Sequence, residues 1–371
     1  MKHRDRVRMA LEHEQPDRCP MQLSFTPEFA ARLQAHLQGK GMQGSETHHN
    51  PHGGGNTYEL ERALDQDMLL TSVGWANSYY ANATYNPGGT TYTDEWEITW
   101  RNVAYDTRFG PGIYTEIAEH PLADDAAIVS YRPPDPHRPE LYRDAGWTLD
   151  TFRDEYWIVG VTVTTIFETA WALRGLEHML MDFVADPELA DALLEIPFRY
   201  HLAAAEQLAR MGVDMLWIGD DVGSQEGMLL SPAVWRRFLK PRLAEFIASV
   251  KAINPDLRVA YHSDGCIYPI IPELIEVGVD VLNPIQPASM DPARLKREYG
   301  NRLSFWGTMD EQYTLPFGTP DDVRREVIER LRTVGKGGGL IIGPTHNIQL
   351  DTPLDNLWAL VDTVRGTAYG S

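Results

Sequence analysis

In the C-terminal half of the chain, polar residues recur in one kind of place, directly after a short apolar run and before a helical pattern. Asp220 and Asp221 follow MLWIG, His262 follows LRVAY, Asn283 follows VDVL, Asp310 follows LSFWGTM and His346 follows GLIIGPT. His262 and Asp264 stand two apart, so on an extended strand end their side chains share one side. A neutral imidazole and a carboxylate, joined by His346 from another strand, would make three protein ligands with a fourth position open, as in catalytic zinc sites. Cys266 lies two residues further on. The same spacing also suits a hydrogen-bonded polar strand end without metal.

Asp220 and Asp221 are adjacent, so one should face the mouth of the fold and the other its wall. Two carboxylates this close raise one another's pKa, which suits a general acid or a proton store. One of the pair can instead cap backbone amides. Glu168, after VTTIF, takes the equivalent place on its own strand. Asn283 and Gln286 in NPIQP, with Asp310, Glu311 and Gln312 in GTMDEQ, add amides and carboxylates to the same rim. Groups of this kind usually position a substrate, and Asn283, Gln286, Asp310 and Gln312 are candidates for binding it. The glycines of GKGGGL precede a strand instead of opening a helix, so they predict a turn and not a phosphate loop.

The elements that must position these residues follow from pattern. Short β-rich apolar runs read as strands buried on both faces, and a helix after each one predicts parallel βα units. Strands are expected at CPMQLSF, MLLTSVGW and YWIVGVTVTTIF, then near Asp214, Leu257, Val279, Leu303 and Leu340. Helices are expected at 2–13, 27–37, 57–67, 169–184 and 187–211, the last opened by Asp186-Pro187, and from Pro353. The whole chain is therefore read as one (β/α)8 TIM-type barrel with an N-terminal helical extension, and the loops after its strands would gather the polar residues at one mouth. Residues 79–148, aromatic, Thr-rich and Pro-rich, read as a β-rich excursion, and Trp75 to Trp100 could wall an apolar pocket. The segment with His48, His49 and His52 reads as a solvated loop with incidental histidines.

Composition narrows the class. A formal charge of −20 argues against a nucleic-acid partner. No stretch approaches the roughly 18 apolar residues of a membrane span. The charged first twenty residues carry no signal-like apolar region, and two distant cysteines, Cys19 and Cys266, fit a reducing compartment, so a cytoplasmic protein without a membrane partner is expected.

The ordered motifs resemble the uroporphyrinogen decarboxylase superfamily along almost the whole chain. They are RDRVRMALEHEQPDRCPM, LRGLEHMLMDFVADPELADALL, MLWIGDDVGSQEGMLLSPAVWRRFLKP, YHSDGCIYPIIPELIEVGVDVLNPIQP, GTMDEQYTLPFGTPDDVRREV and GPTHNIQLDTPLDNLWALVD. The resemblance implies a (β/α)8 barrel with its site at the mouth. True uroporphyrinogen decarboxylases carry an arginine-bearing segment where this chain has MQLSFTPEF, and a catalytic Asp where it has Val73. A substrate with many carboxylates needs cationic clamps.

The other branch, cobalamin-dependent methyltransferases, activates its substrate with zinc. Its coenzyme M type has a His-x-Cys after one strand and a Cys near the last, and here His262, Asp264 and His346 stand at those places, with Cys266 close by. The resemblance thus implies a zinc-using methyltransferase or O-demethylase for a small methylated substrate. Cobalamin would be supplied by a separate corrinoid protein, since no Asp-x-His-x-x-Gly segment occurs. Glu168, Asp220 or Asp221 would complete the metal shell or supply a proton. A decarboxylase acting on a tetrapyrrole or other carboxylate, with His346 as acid, is the alternative, and a non-catalytic binding barrel is a third.

Overall fold

The computed structural model describes residues 1–39, 57–73 and 91–369. The first strand, β1 (Met68–Ser72), is followed by an antiparallel excursion of β2 (Thr91–Thr93), β3 (Thr99–Thr107) and β4 (Gly110–Glu119). Six further strands complete the series: β5 (Trp157–Val161), β6 (Met215–Gly219), β7 (Arg258–His262), β8 (Val281–Asn283), β9 (Ser304–Trp306) and β10 (Leu340–Ile341). They join β1 in one curled sheet of seven parallel neighbours, ordered β1-β5-β6-β7-β8-β9-β10.

Residues of CPMQLSF join the two edges of this sheet. Met21 bridges Ile342 in parallel, and its carbonyl accepts the Asp67 amide that leads into β1. The eighth barrel position is therefore filled by isolated bridges instead of a continuous ladder. Pro20 has no N–H to give, while side chains take the amides of Met21, through Asp67 Oδ2 at 2.8 Å, and Leu23, through Gln66 Oε1 at 2.6 Å. The TIM-type architecture expected from the sequence is the one observed.

Alternation along the strands divides the core. Met68, Leu70, Trp157, Val159, Met215, Trp217, Ala260, Val281, Trp306 and Ile341 face inward and pack with Val7 and Leu11 of the helix His3–Leu11. That helix plugs the barrel at the strands' N-terminal ends, leaving the opposite mouth open. Arg6 and Arg18 tie it down through Asp67, at 2.5 Å and 2.6 Å, and Asp67 is fully buried.

Several expected boundaries move. The helix expected at 169–184 is two helices, Phe167–Arg174 and Leu176–Ala185, broken at Gly175 with φ +93°. Asp186 caps Pro187–Met211 by accepting the Leu189 amide. The excursion is β-rich only to Glu119, and its end at 143–148 belongs to the helix Arg143–Phe152. In its first hairpin Asp94 accepts the amides of Trp96 and Ile98 and the indole N–H of Trp100, which closes the turn. Trp96 then docks the sheet on the long helix, against Tyr200 and His201. The histidine loop, Trp75 and residues 79–90 lie outside the described residues. Among those described, no helix is long and apolar enough to cross a membrane.

Candidate active site and metal centre

The ends of β6 and β7 meet unusually closely. Gly219, the last residue of β6, has φ +125°, and a Cβ there would lie 2.2 Å from the His262 carbonyl oxygen. Only glycine permits this approach, which brings the residues after β6 beside those after β7. Asp220 turns into the wall, where it accepts the amides of Ile166 and Glu168 at 2.9 Å and so caps the helix Phe167–Arg174. Burial pushes Asp220 up to about 6, although the amides of Glu168, Ile166 and Phe167 favour its charged form.

Asp221 turns to the mouth. Its Oδ1 accepts the Asp264 amide at 2.7 Å and lies 3.5 Å from His262 Nε2. Ligand atoms of Asp221, His262 and Asp264 all fall within 4.8 Å of one another. Two donors on one tetrahedral zinc, each bonded at about 2.0–2.1 Å, stand roughly 3.3 Å apart, so the His262 to Asp221 spacing suits such an ion. Asp264 Oδ1 is buried with no hydrogen-bond partner, an orphan acceptor that a cation would satisfy. Burial raises the Asp264 carboxyl, His262 and His346 pull it back, and Asp221 raises it further.

The tautomer of His262 follows from its neighbours. Asn283 donates through its amide nitrogen to the Trp306 carbonyl at 3.1 Å, so its oxygen faces His262 Nδ1 at 2.8 Å. Nδ1 therefore carries the proton, and the Nε2 lone pair points towards Asp221 and any ion held there. The ring also stands edge-on to Trp217, 5.4 Å between centroids. Asn283, expected as a substrate contact, is placed to orient the ring of His262, a candidate metal ligand. Gln286 accepts the Gly265 amide at 2.8 Å, which holds the loop after β7, and it also lines the neighbouring cavity.

Glu168 lies just behind Asp221, accepting its amide at 3.0 Å. Burial, then the charges of Asp221 and Asp220, push the Glu168 carboxyl well above the usual carboxylate range. His346 and Cys266 are placed differently from the expected ligand set. His346 lines the cavity with Asp264 but stays outside the 4.8 Å group, while Cys266 packs against the apolar core.

That cavity, about 390 Å³, opens beside the triad and is lined by Asp264, Gln286, Glu311, Gln312, His346 and Asp351, among others. Asp310 does not line it. Its Oδ1 accepts the amides of Gln312 and Tyr313, so it serves the turn after β9. Burial, then the charges of Asp351 and Asp264, push Glu311 up to about 9.

Comparison with known proteins gives the chain its family. Residues 103–367 match the family described as uroporphyrinogen decarboxylase (URO-D). The chain belongs to that family. Methylcobamide:CoM methyltransferase MtaA of Methanosarcina barkeri is 29% identical over 174 residues, 47% of this chain and 48% of that protein. A uroporphyrinogen decarboxylase of Chlorobium phaeobacteroides is 27% identical over 229 residues, 60% of this chain and 58% of its own length. The chain spans about half the length of the curated relatives it matches. A methyltransferase from Methanosarcina mazei, 19% identical, aligns over 99% of both chains with a TM-score of 0.67 and shares the fold.

Within this URO-D barrel, sequence reasoning passed over Asp351 and Gln349 and noticed Glu311 without choosing it. The available signal was that the first acid after a strand, Asp310, is the usual cap, which leaves the next one free to face the cavity. Asp351 follows His346 in an irregular loop, where no periodicity tells which side chains turn inward.

Proposed function

We propose that this URO-D family chain is a corrinoid-dependent methyltransferase that moves a methyl group between a small methylated substrate and a corrinoid carried by a separate protein, with zinc held by Asp221, His262 and Asp264. The observation that supports the reading best is the Asp221, His262 and Asp264 group itself, whose donors include an orphan carboxylate oxygen beside an open cavity. Zinc with imidazole and carboxylate donors is harder than zinc with thiolates, and it would polarise an ether or alcohol oxygen as the methyl group departs.

The chain's own residues divide the remaining work. Asn283 fixes the His262 ring, and the Asp264 amide fixes Asp221. Glu168, buried behind Asp221 with its carboxyl pushed above the usual range, would supply a proton to the oxygen that loses its methyl group. Gln286 and Gln312 orient the substrate in the cavity. Exposed Tyr313 and Phe317 stand in the segment beside the cavity, an apolar rim on which a corrinoid protein would seat.

The decarboxylase reading is weaker on one physical ground. Among the described residues three carboxyl groups and no Lys or Arg line the cavity, so a polycarboxylate would find no cation there to clamp it. The test is methyl transfer to cob(I)alamin from methoxylated alcohols and phenols, followed by the absorbance change on alkylation. Methylcobalamin formation that depends on the protein and is lost in Asp264→Asn supports the proposal. Carbon dioxide release from a carboxylate substrate with no corrinoid alkylation would overturn it.

A further inference from the structure

The charge of the cavity carries more than the choice of reaction. Among the described residues Glu311, Asp351 and Asp264 line it, the remaining polar lining is amides, Thr345 and His346, and there is no Lys or Arg. Arg108, at the rim, is occupied with the backbone carbonyls of Pro316 and Asp351. No ion pair to a described residue compensates Glu311 or Asp351. Asp264 adds a buried Oδ1 with no hydrogen-bond partner. A divalent ion at the triad would balance Asp221 and Asp264 but leave Asp351 unmatched, while Glu311, pushed up to about 9 at rest, would ionise beside an entering cation and not beside an anion. Partly desolvated carboxylates without counter-charge repel an anion and are stabilised by a cation.

We propose that this cavity selects a positively charged substrate, an ammonium-bearing small molecule, and rejects anionic thiols and carboxylates. The inference rests on the methyltransferase reading for what happens to the substrate, and on the lining alone for its charge. It separates this chain from relatives named for coenzyme M, a sulfonate that would meet like charge here.

The test uses three methoxyethyl compounds of similar shape, ending in trimethylammonium, tert-butyl or sulfonate. Their binding to the zinc-loaded full chain is measured by calorimetry at low and high salt. The ammonium compound should bind about tenfold more tightly than the tert-butyl one, and the sulfonate most weakly. That order should weaken with salt and collapse in Glu311→Gln and Asp351→Asn, both checked for unchanged circular dichroism and zinc content. Equal binding of the three, tightest binding of the sulfonate, no binding at all, or an order that survives both substitutions would overturn the proposal. Zinc measured on the same samples keeps the two ideas apart. A zinc-free protein that still prefers the ammonium compound contradicts the methyltransferase reading alone, and a zinc-loaded protein without preference contradicts the charge proposal alone.

Discussion

At the residue scale the site turns on which atom of each polar side chain is already committed. Asp220 spends its oxygens on backbone amides, whereas Asp264 keeps one buried oxygen unspent. Sequence could pair His262 with Asp264 by their spacing, but it could not tell Asp220 from Asp221, because the turn after Gly219 decides which faces the mouth. It also drew in His346 and Cys266, whose distance from the triad depends on how far two loops reach. Asn283 gives a sharp prediction. Without its oxygen, His262 loses the partner that fixes its tautomer, so Asn283→Ala should weaken zinc affinity by roughly 10–100-fold. Competition with a chromophoric chelator measures this, and an unchanged affinity would deny Asn283 that role.

At the element scale, strands were legible as apolar runs and helices as periodic ones, and their order was enough to place the mouth. The break at Gly175 and the helix at Arg143–Phe152 were not, since one depends on a left-handed backbone and the other sits among Pro-rich loops. Two predictions belong here. Gly219→Ala forces a Cβ onto the His262 carbonyl, and should cost on the order of 1–3 kcal/mol while disturbing the metal site. A variant with unchanged denaturant midpoint and zinc affinity would show that the strand ends are not locked by that contact.

The second concerns the docked hairpin. His201 is fully buried, has no partner for either ring nitrogen, and stacks on Trp96, so burial pushes it down to about 3. A histidine near 6.5 when unfolded then takes up protons preferentially in the unfolded chain. Stability is whole above pH 6.5 and falls as the pH drops, by about 2 kcal/mol at pH 5. His201→Phe should flatten that part of the stability curve, and parallel curves for the two proteins between pH 7 and 5 would refute the assignment.

At the scale of the whole molecule the barrel is closed by a segment with little strand ladder of its own. Asp67 holds it by accepting Arg6, Arg18 and the Met21 amide at once. Asp67→Ala would leave two buried guanidiniums without their shared carboxylate and should cost about 3–5 kcal/mol. Thermal unfolding should then show a large drop, and a loss under about 1 kcal/mol would mean that apolar packing alone closes the barrel. The sequence carried this fold well because βα alternation is a long-range regularity. The cavity's charge was not visible in it, since Glu311, Asp351 and Asp264 come from three separate loops that only the closed barrel brings together.

The proposed chemistry depends on one zinc ion held at the mouth by Asp221, His262 and Asp264. Metal content of the zinc-replete protein, by mass spectrometry beside Asp221→Ala, His262→Ala, Asp264→Ala and His346→Ala, tests it directly. About one zinc per chain is expected, lost in the first three variants and retained in the fourth. A zinc-free protein, or zinc that survives His262→Ala, would contradict it.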